Sequence, residues 1–202
     1  MIIQFLLYDR MTALDAIGPY ECLSRLTDAE VRMVGLEKGM VRTDTGFLGL
    51  NADYDLADAG PCDVLVVPGG DQWAVMKDER VLAWLRQQHE GTQMTASVCT
   101  GSLVLAAAGV ITEGEISSHW AVADFIPKLG LIYSGKRITR QGKIITAAGV
   151  SAGIDMGLAL CEILQDRKTA EAIQLGIEYD PEPPFTPPRD AQSKALTLEL
   201  IT

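Results

Sequence analysis

The sequence predicts an α/β fold, a mostly parallel central sheet covered by helices on both faces. Three observations predict it. Two apolar runs, Ile2–Tyr8 and Asp63–Val67, have the makeup of strands buried on both sides. Segments with helical spacing alternate with short apolar segments along the chain, the pattern of a βαβ succession. A third strand, Met94–Val98, passes through Cys99 directly into a helix, a sharp turn of the kind that exposes a nucleophile.

Each element follows in order. Ile2–Tyr8 reads as a central strand, followed by a helix from about Asp15 to Leu26 with Gly18-Pro19 near its start. Val31–Gly35 is a second strand. Met40–Leu50 and Asn51–Tyr54 mix polar residues with glycine and read as a hairpin or loop. Asp63–Val67 stops at Pro68-Gly69-Gly70. Asp78–His89 has helical spacing through Val81, Leu82, Trp84 and Leu85, and the helix after Cys99 runs from about Gly101 to Ala108. Ile116–Trp120 is extended and Ala121–Leu129 helical. Lys136–Thr139 and Lys143–Thr146 flank Gln141-Gly142 as a hairpin. Ser151 caps a helix running to Leu164, and Arg167–Glu178 is a last amphipathic helix. From Asp180 the chain is proline-rich and lacks a core pattern. The expected organisation is one domain over residues 1–202, its core ending near 179 and 180–202 forming a tail.

Composition bounds the partners. The chain has 202 residues, 48% hydrophobic and 22% charged, enough for a sizeable core. Its net charge of −10 argues against nucleic acid and anionic membrane surfaces as partners. No run is apolar and long enough to span a bilayer, and the N-terminus lacks the basic start of a signal peptide. Four cysteines without CxxC spacing and two histidines do not suggest a zinc cluster; a reducing, cytoplasmic setting with free thiols is expected.

The chemistry centres on Cys99. Ser97-Val98-Cys99-Thr100-Gly101-Ser102 has the pattern S-x-C-x-G, and its small residues let strand and helix approach as a nucleophile elbow needs. At a helix N-terminus the unpaired N–H groups are expected to favour the thiolate and lower the thiol's pKa. Cys22 and Cys161 lie on apolar helix faces and read as packed; Cys62, beside Pro61, reads as a loop thiol. Pro68-Gly69-Gly70 ends a neighbouring strand at the same sheet edge, so backbone N–H groups at Gly69, Gly70 and Thr100 are expected to face a reacting atom. Asp15 has two readings: a helix N-cap, or a shielded carboxyl that stays protonated beside Cys99. His119 either packs beside Trp120 or pairs with Cys99. His89 reads as a solvated helix end. Trp73, Trp120 and Ile17 are expected pocket liners.

Leu14-Asp15-Ala16-Ile17-Gly18-Pro19, Val67-Pro68-Gly69-Gly70, the Cys99 segment and Ser118-His119-Trp120 occur in the order found in the ThiJ/PfpI superfamily, a class I glutamine-amidotransferase-like fold that this chain resembles up to about Tyr179. Within it the chain is most similar to the members that hydrate isonitriles, through Val98–Leu105, Gly153-Ile154-Asp155, Gln174-Leu175 and the Glu178–Phe185 ending. The resemblance implies a flavodoxin-like three-layer sandwich, a homodimer, and hydration of a small-molecule isonitrile to an N-substituted formamide without metal or organic cofactor. Carried over by position, Cys99 matches the nucleophile, Asp15 the acidic partner and Thr100 the residue after the nucleophile. Protease-like members place histidine where Thr100 stands, which argues against peptidase activity. The helix-turn-helix domain of the regulators that share the elbow is not expected to follow. Two alternatives stand beside hydration: a non-catalytic small-molecule or redox sensor built on an exposed thiol, and another elbow-cysteine enzyme, glyoxalase-like or an amidase.

Overall fold

A computed structural model describes residues 1–188 and 190–201. The elements in chain order are β1 (Ile2–Leu7), α1 (Ala13–Leu23), β2 (Glu30–Gly35), β3 (Gly39–Arg42), β4 (Gly49–Ala52), β5 (Tyr54–Asp55), β6 (Val64–Val67), α2 (Glu79–Gly91), β7 (Met94–Ser97), α3 (Gly101–Ala107), β8 (Glu115–Ile116), β9 (Ile132–Tyr133), β10 (Ile138–Gln141), β11 (Ile144–Ala147), α4 (Ala152–Leu164), α5 (Arg167–Gly176) and α6 (Ala191–Ile201).

Seven strands form the central sheet in the order β10-β11-β7-β6-β1-β2-β5, and only the β10–β11 pair is antiparallel. The apolar runs occupy its middle: Ile3, Phe5, Leu6, Leu7 and Val64 through Val67 are fully buried. From β1 the chain crosses to β2 on one side, and from β6 to β7 on the other. Right-handed crossovers therefore put α1 on one face and α2 on the opposite face. α1 packs on α4 and α4 on α5; α2 and α3 pack together under the turn Val75–Lys77. This is the flavodoxin-like three-layer sandwich. The chain reverses its winding direction between β1 and β6, and α/β folds bind ligands at the carboxyl edge beside such a point.

Some expectations change. α1 begins at Ala13 and ends at Leu23, with Pro19 inside it and not near its start. Ala121–Leu129 is not one helix but two short 3-10 turns, Trp120–Val122 and Ile126–Leu129. Pro127 lacks the N–H a continuous helix would need, and Gly130 leaves in the left-handed conformation. Where a hairpin or loop was expected, β3 and β4 form a hairpin, while β8 and β9 make a parallel pair the sequence pattern did not suggest. Cys62 lies in the loop before β6, as expected, and is buried there. Beyond the prolines the tail forms α6, which Asp190 starts by accepting the Ser193 N–H at 2.8 Å. Leu196 and Leu200 of this helix are exposed, as the missing core pattern implied. No helix among the described residues is long and apolar enough to cross a membrane.

Candidate active site

Four adjacent parallel strands bring the site together. Their carboxyl ends lead to Asp15 (after β1), to Gly69-Gly70 (after β6), to Cys99-Thr100 (after β7) and to Gly149-Val150 (after β11). The elbow is strained: Cys99 has φ of 57°, the left-handed region that side chains with a Cβ avoid. It is held from several sides. The Cys99 N–H donates to the Ala148 carbonyl at 2.9 Å, and its own carbonyl accepts from Ser118 Oγ at 2.9 Å. Gly101 is required by close approach, since a Cβ there would lie 2.2 Å from the Val67 carbonyl oxygen.

The expected low thiol pKa is overturned. Cys99 is buried, 6% exposed, and desolvation pushes its thiol up to about 12, helped by the charge of Asp15 and a side-chain hydrogen bond to it. The backbone N–H groups of Val150 and Thr100 work in the other direction and favour the thiolate. The start of the short helix α3 therefore contributes as expected, but burial beside a carboxylate wins.

Asp15 lies in the first turn of α1 and is completely buried. It is not the N-cap. That position belongs to Thr12, whose hydroxyl donates to Asp44 Oδ2 at 2.7 Å instead of capping the helix. Asp15 Oδ2 accepts the Gly69 N–H at 2.8 Å; Oδ1 is buried and meets no nitrogen or oxygen donor. Desolvation raises the carboxyl from 3.8 to about 7, against the Gly69 N–H and the Cys99 thiol, which both favour the carboxylate. Near neutral pH the carboxyl gives up its proton while the thiol keeps its own, and because each acts on the other the titration belongs to the pair.

Thr100 joins the elbow to the glycine loop. Its Oγ1 accepts the Gly70 N–H at 3.1 Å and donates to Gln72 Oε1 at 2.9 Å. Gly69 has no room for a side chain: a Cβ would lie 2.5 Å from both the Thr100 nitrogen and Oγ1. Both glycine N–H groups are engaged inside the protein, Gly69 with Asp15 and Gly70 with Thr100. Gln72, Ser118 and Val150 were missed as contributors. Gln72 follows the Pro68-Gly69-Gly70 turn by two residues, and Gly149-Val150 ends a strand beside the elbow strand; both positions were available as signals.

His119 does not hydrogen-bond Cys99. Its Nδ1 accepts the Ala121 N–H at 3.3 Å, its ring lies 5.3 Å from that of Trp120, and burial holds its pKa below 6.5. His89 is not simply solvated, since Nδ1 meets Thr95 Oγ1 at 2.8 Å at the amino end of β7. Trp73 stacks edge-on against Phe125 at 5.7 Å and is half-exposed. Ile17 lines a groove of about 390 Å³ with Leu14, Ile154 and Tyr179, which Cys99 and the glycine loop do not border. Among the described residues no three His, Cys, Asp or Glu side chains cluster as a metal site requires.

Known proteins carry the same arrangement of sequence and fold. Residues 1–163 match the model of the DJ-1/PfpI family. The isonitrile hydratase of Pseudomonas putida is 40% identical over 184 residues, covering 91% of this chain and 80% of that protein. A ThiJ/PfpI family protein from Pseudomonas syringae superposes with a TM-score of 0.93 at 33% identity, covering 99% of this chain and 85% of that one. Toxoplasma gondii DJ-1, at 21% identity and a TM-score of 0.77 over 89% of this chain and 99% of its own, shares the fold. With its elbow cysteine on a seven-stranded sheet of this topology, the chain belongs to the DJ-1/PfpI family.

Proposed function

We propose that the protein is a cytoplasmic isonitrile hydratase, working as a homodimer, that converts an isonitrile to the N-substituted formamide through Cys99. The observation that carries this reading is the buried Asp15–Cys99 pair, a carboxyl near neutrality in contact with a thiol. The 40% identity to an isonitrile hydratase supports it.

An isonitrile carbon accepts a proton and then a nucleophile. Asp15 delivers its proton to that carbon, its carboxylate takes the Cys99 thiol proton, and the sulfur so freed adds to the same atom, giving a thioimidate, R–N=CH–S–Cys99. Water adds across the C=N bond. The tetrahedral adduct collapses to R–NH–CHO and expels sulfur, which takes back a proton, so one water is consumed per formamide. The Thr100 and Val150 N–H groups steady the thiolate before attack and on expulsion. The Gly69 N–H steadies the Asp15 carboxylate once its proton is gone. Gly70, tied to the Thr100 hydroxyl, keeps that wall in place. A pair holding its protons near neutral pH suits an acid that must be protonated when substrate arrives.

The test is direct. Alkyl and aryl isonitriles are incubated with the pure protein and formamide is followed, with Cys99→Ala alongside. Turnover that disappears in the variant is expected. Full activity in Cys99→Ala, or no turnover of any isonitrile by the wild type, would sink the reading.

A further inference from the structure

The residues Gly69-Gly70-Asp71-Gln72 follow β6, and the mechanism leaves the buried side chain of Gln72 unused. Gln72 is 2% exposed, deep for a glutamine beside a turn. Its Oε1 accepts from Thr100 Oγ1 at 2.9 Å. The Thr100 hydroxyl has one proton and two acceptors in range, Gln72 Oε1 and, at 3.3 Å, the Gly70 carbonyl. The shorter contact takes the proton, which leaves an oxygen lone pair for the Gly70 N–H.

We propose that Gln72 is a positioning residue: its buried carboxamide oxygen fixes the Thr100 hydroxyl and, through it, holds the Gly69–Gly70 loop against the Cys99 elbow with the Gly69 N–H on Asp15. The proposal rests on reading Cys99 and Asp15 as the reacting pair. The loop is tied on its other side to the β1–α1 connection, with the Gly69 carbonyl accepting from the Thr12 N–H at 2.9 Å and the Asp71 N–H donating to the Arg10 carbonyl at 3.0 Å. Its side-chain tie to the elbow runs through Thr100 and Gln72. Without Oε1 the hydroxyl turns to the Gly70 carbonyl and out of line with the Gly70 N–H. A shift at Gly70 is passed to its neighbour Gly69, whose N–H favours the Asp15 carboxylate.

The groups that face the pair are Asp44 from the loop after β3, Tyr8 at the end of β1, and the Thr100 and Val150 N–H groups; Asp71 acts on Tyr8. Replacing Gln72 changes the charge of none of them.

The experiment is the pH dependence of Cys99 alkylation by iodoacetamide in the full chain, followed by mass spectrometry, which requires no isonitrile. The wild-type rate breaks where Asp15 ionises. Gln72→Leu is expected to move that break up by roughly half a pH unit, and Gln72→Met, closer in shape, does the same if the leucine variant does not fold. Thr100→Val reproduces the shift and Thr100→Ser restores the wild-type break. Adding the Gln72 change to Thr100→Val moves it no further, because the two act through one bond. A wild-type break that neither Gln72 variant moves overturns the assignment, and so do additive shifts in the double variant, which would mark Gln72 as merely structural. A wild-type profile with no break overturns the Asp15–Cys99 pair itself, and the role of Gln72 with it.

Discussion

The Asp15 carboxyl and the Cys99 thiol come from different layers of the fold, one from the first turn of α1 and one from the β7–α3 elbow; the carboxylate resists ionisation of the thiol, while the thiol favours the carboxylate. Burial raises both, to about 7 and about 12. Their hydrogen bond favours a thiol facing a carboxylate, the arrangement left after one proton has gone. The pair is therefore a proton store matched to neutral pH.

The first consequence is in thiol reactivity. Below the first ionisation of the pair, the alkylation rate of Cys99 rises with pH. Above it the singly ionised pair dominates, its thiolate share is fixed, and the rate levels off until the thiol titrates on its own. We expect a break near 7 in the wild type. Asp15→Asn removes the break and speeds alkylation at pH 8, because the anion that raised the thiol is gone. A rate that climbs without a break in the wild type would contradict the coupling.

The same carboxyl imposes a pH dependence on stability. Its folded pKa lies above its unfolded one, so between about 4 and 7 the native state binds the extra proton. Stability from this group is full at low pH and is lost as pH rises through that window. A shift of this size corresponds to at most about 4 kcal/mol. Asp15→Asn, which keeps an oxygen for the Gly69 N–H, should gain about 2 kcal/mol more over wild type at pH 8 than at pH 5. Urea unfolding at the two pH values reads this; an equal difference at both would refute it.

Gly69 and Gly101 test the close approach. A methyl at Gly69 would meet Thr100 at 2.5 Å and Asp15 Oδ2 at 3.0 Å; one at Gly101 would meet the Val67 carbonyl oxygen at 2.2 Å. Backbone is the obstacle in both places, so relief requires the elbow to move. Each alanine variant should lose about 2–3 kcal/mol of stability and should lower turnover by at least tenfold. Thermal unfolding together with the alkylation profile separates the two effects. Retention of wild-type values would mean the loop gives way freely.

The sheet was legible because its strands are buried on both sides: Ile2–Tyr8 and Asp63–Val67 carry no polar alternation to mislead. The elbow was legible because strand, cysteine and glycine follow one another locally. The thiol's pKa was not, since the helix terminus is a local feature while burial and Asp15 arrive from residues far away in sequence. The same holds for Gln72, whose partner Thr100 lies 28 residues on. Ala121–Leu129 misled because its apolar spacing suits a helix while Pro127 breaks the hydrogen-bond ladder.

His119 gives the prediction that separates this site from a Cys/His dyad. In a dyad the imidazole takes the thiol proton, and its removal costs on the order of 10²–10⁴ in rate. Here the Nδ1 lone pair faces the Ala121 N–H, so the neutral ring carries its proton on Nε2. Burial lowers the ring's pKa and so favours that neutral form. The ring instead fills space against Gly149, where an added Cβ would meet Cδ2 at 2.5 Å. His119→Ala should therefore leave the break in the Cys99 alkylation profile in place and reduce formamide formation by less than about tenfold, while lowering thermal stability through the lost packing. His119→Phe, which restores a ring of similar size, should recover that stability without changing the break. If His119→Ala erased the break, the proton would sit on the imidazole and Asp15 would not be its carrier.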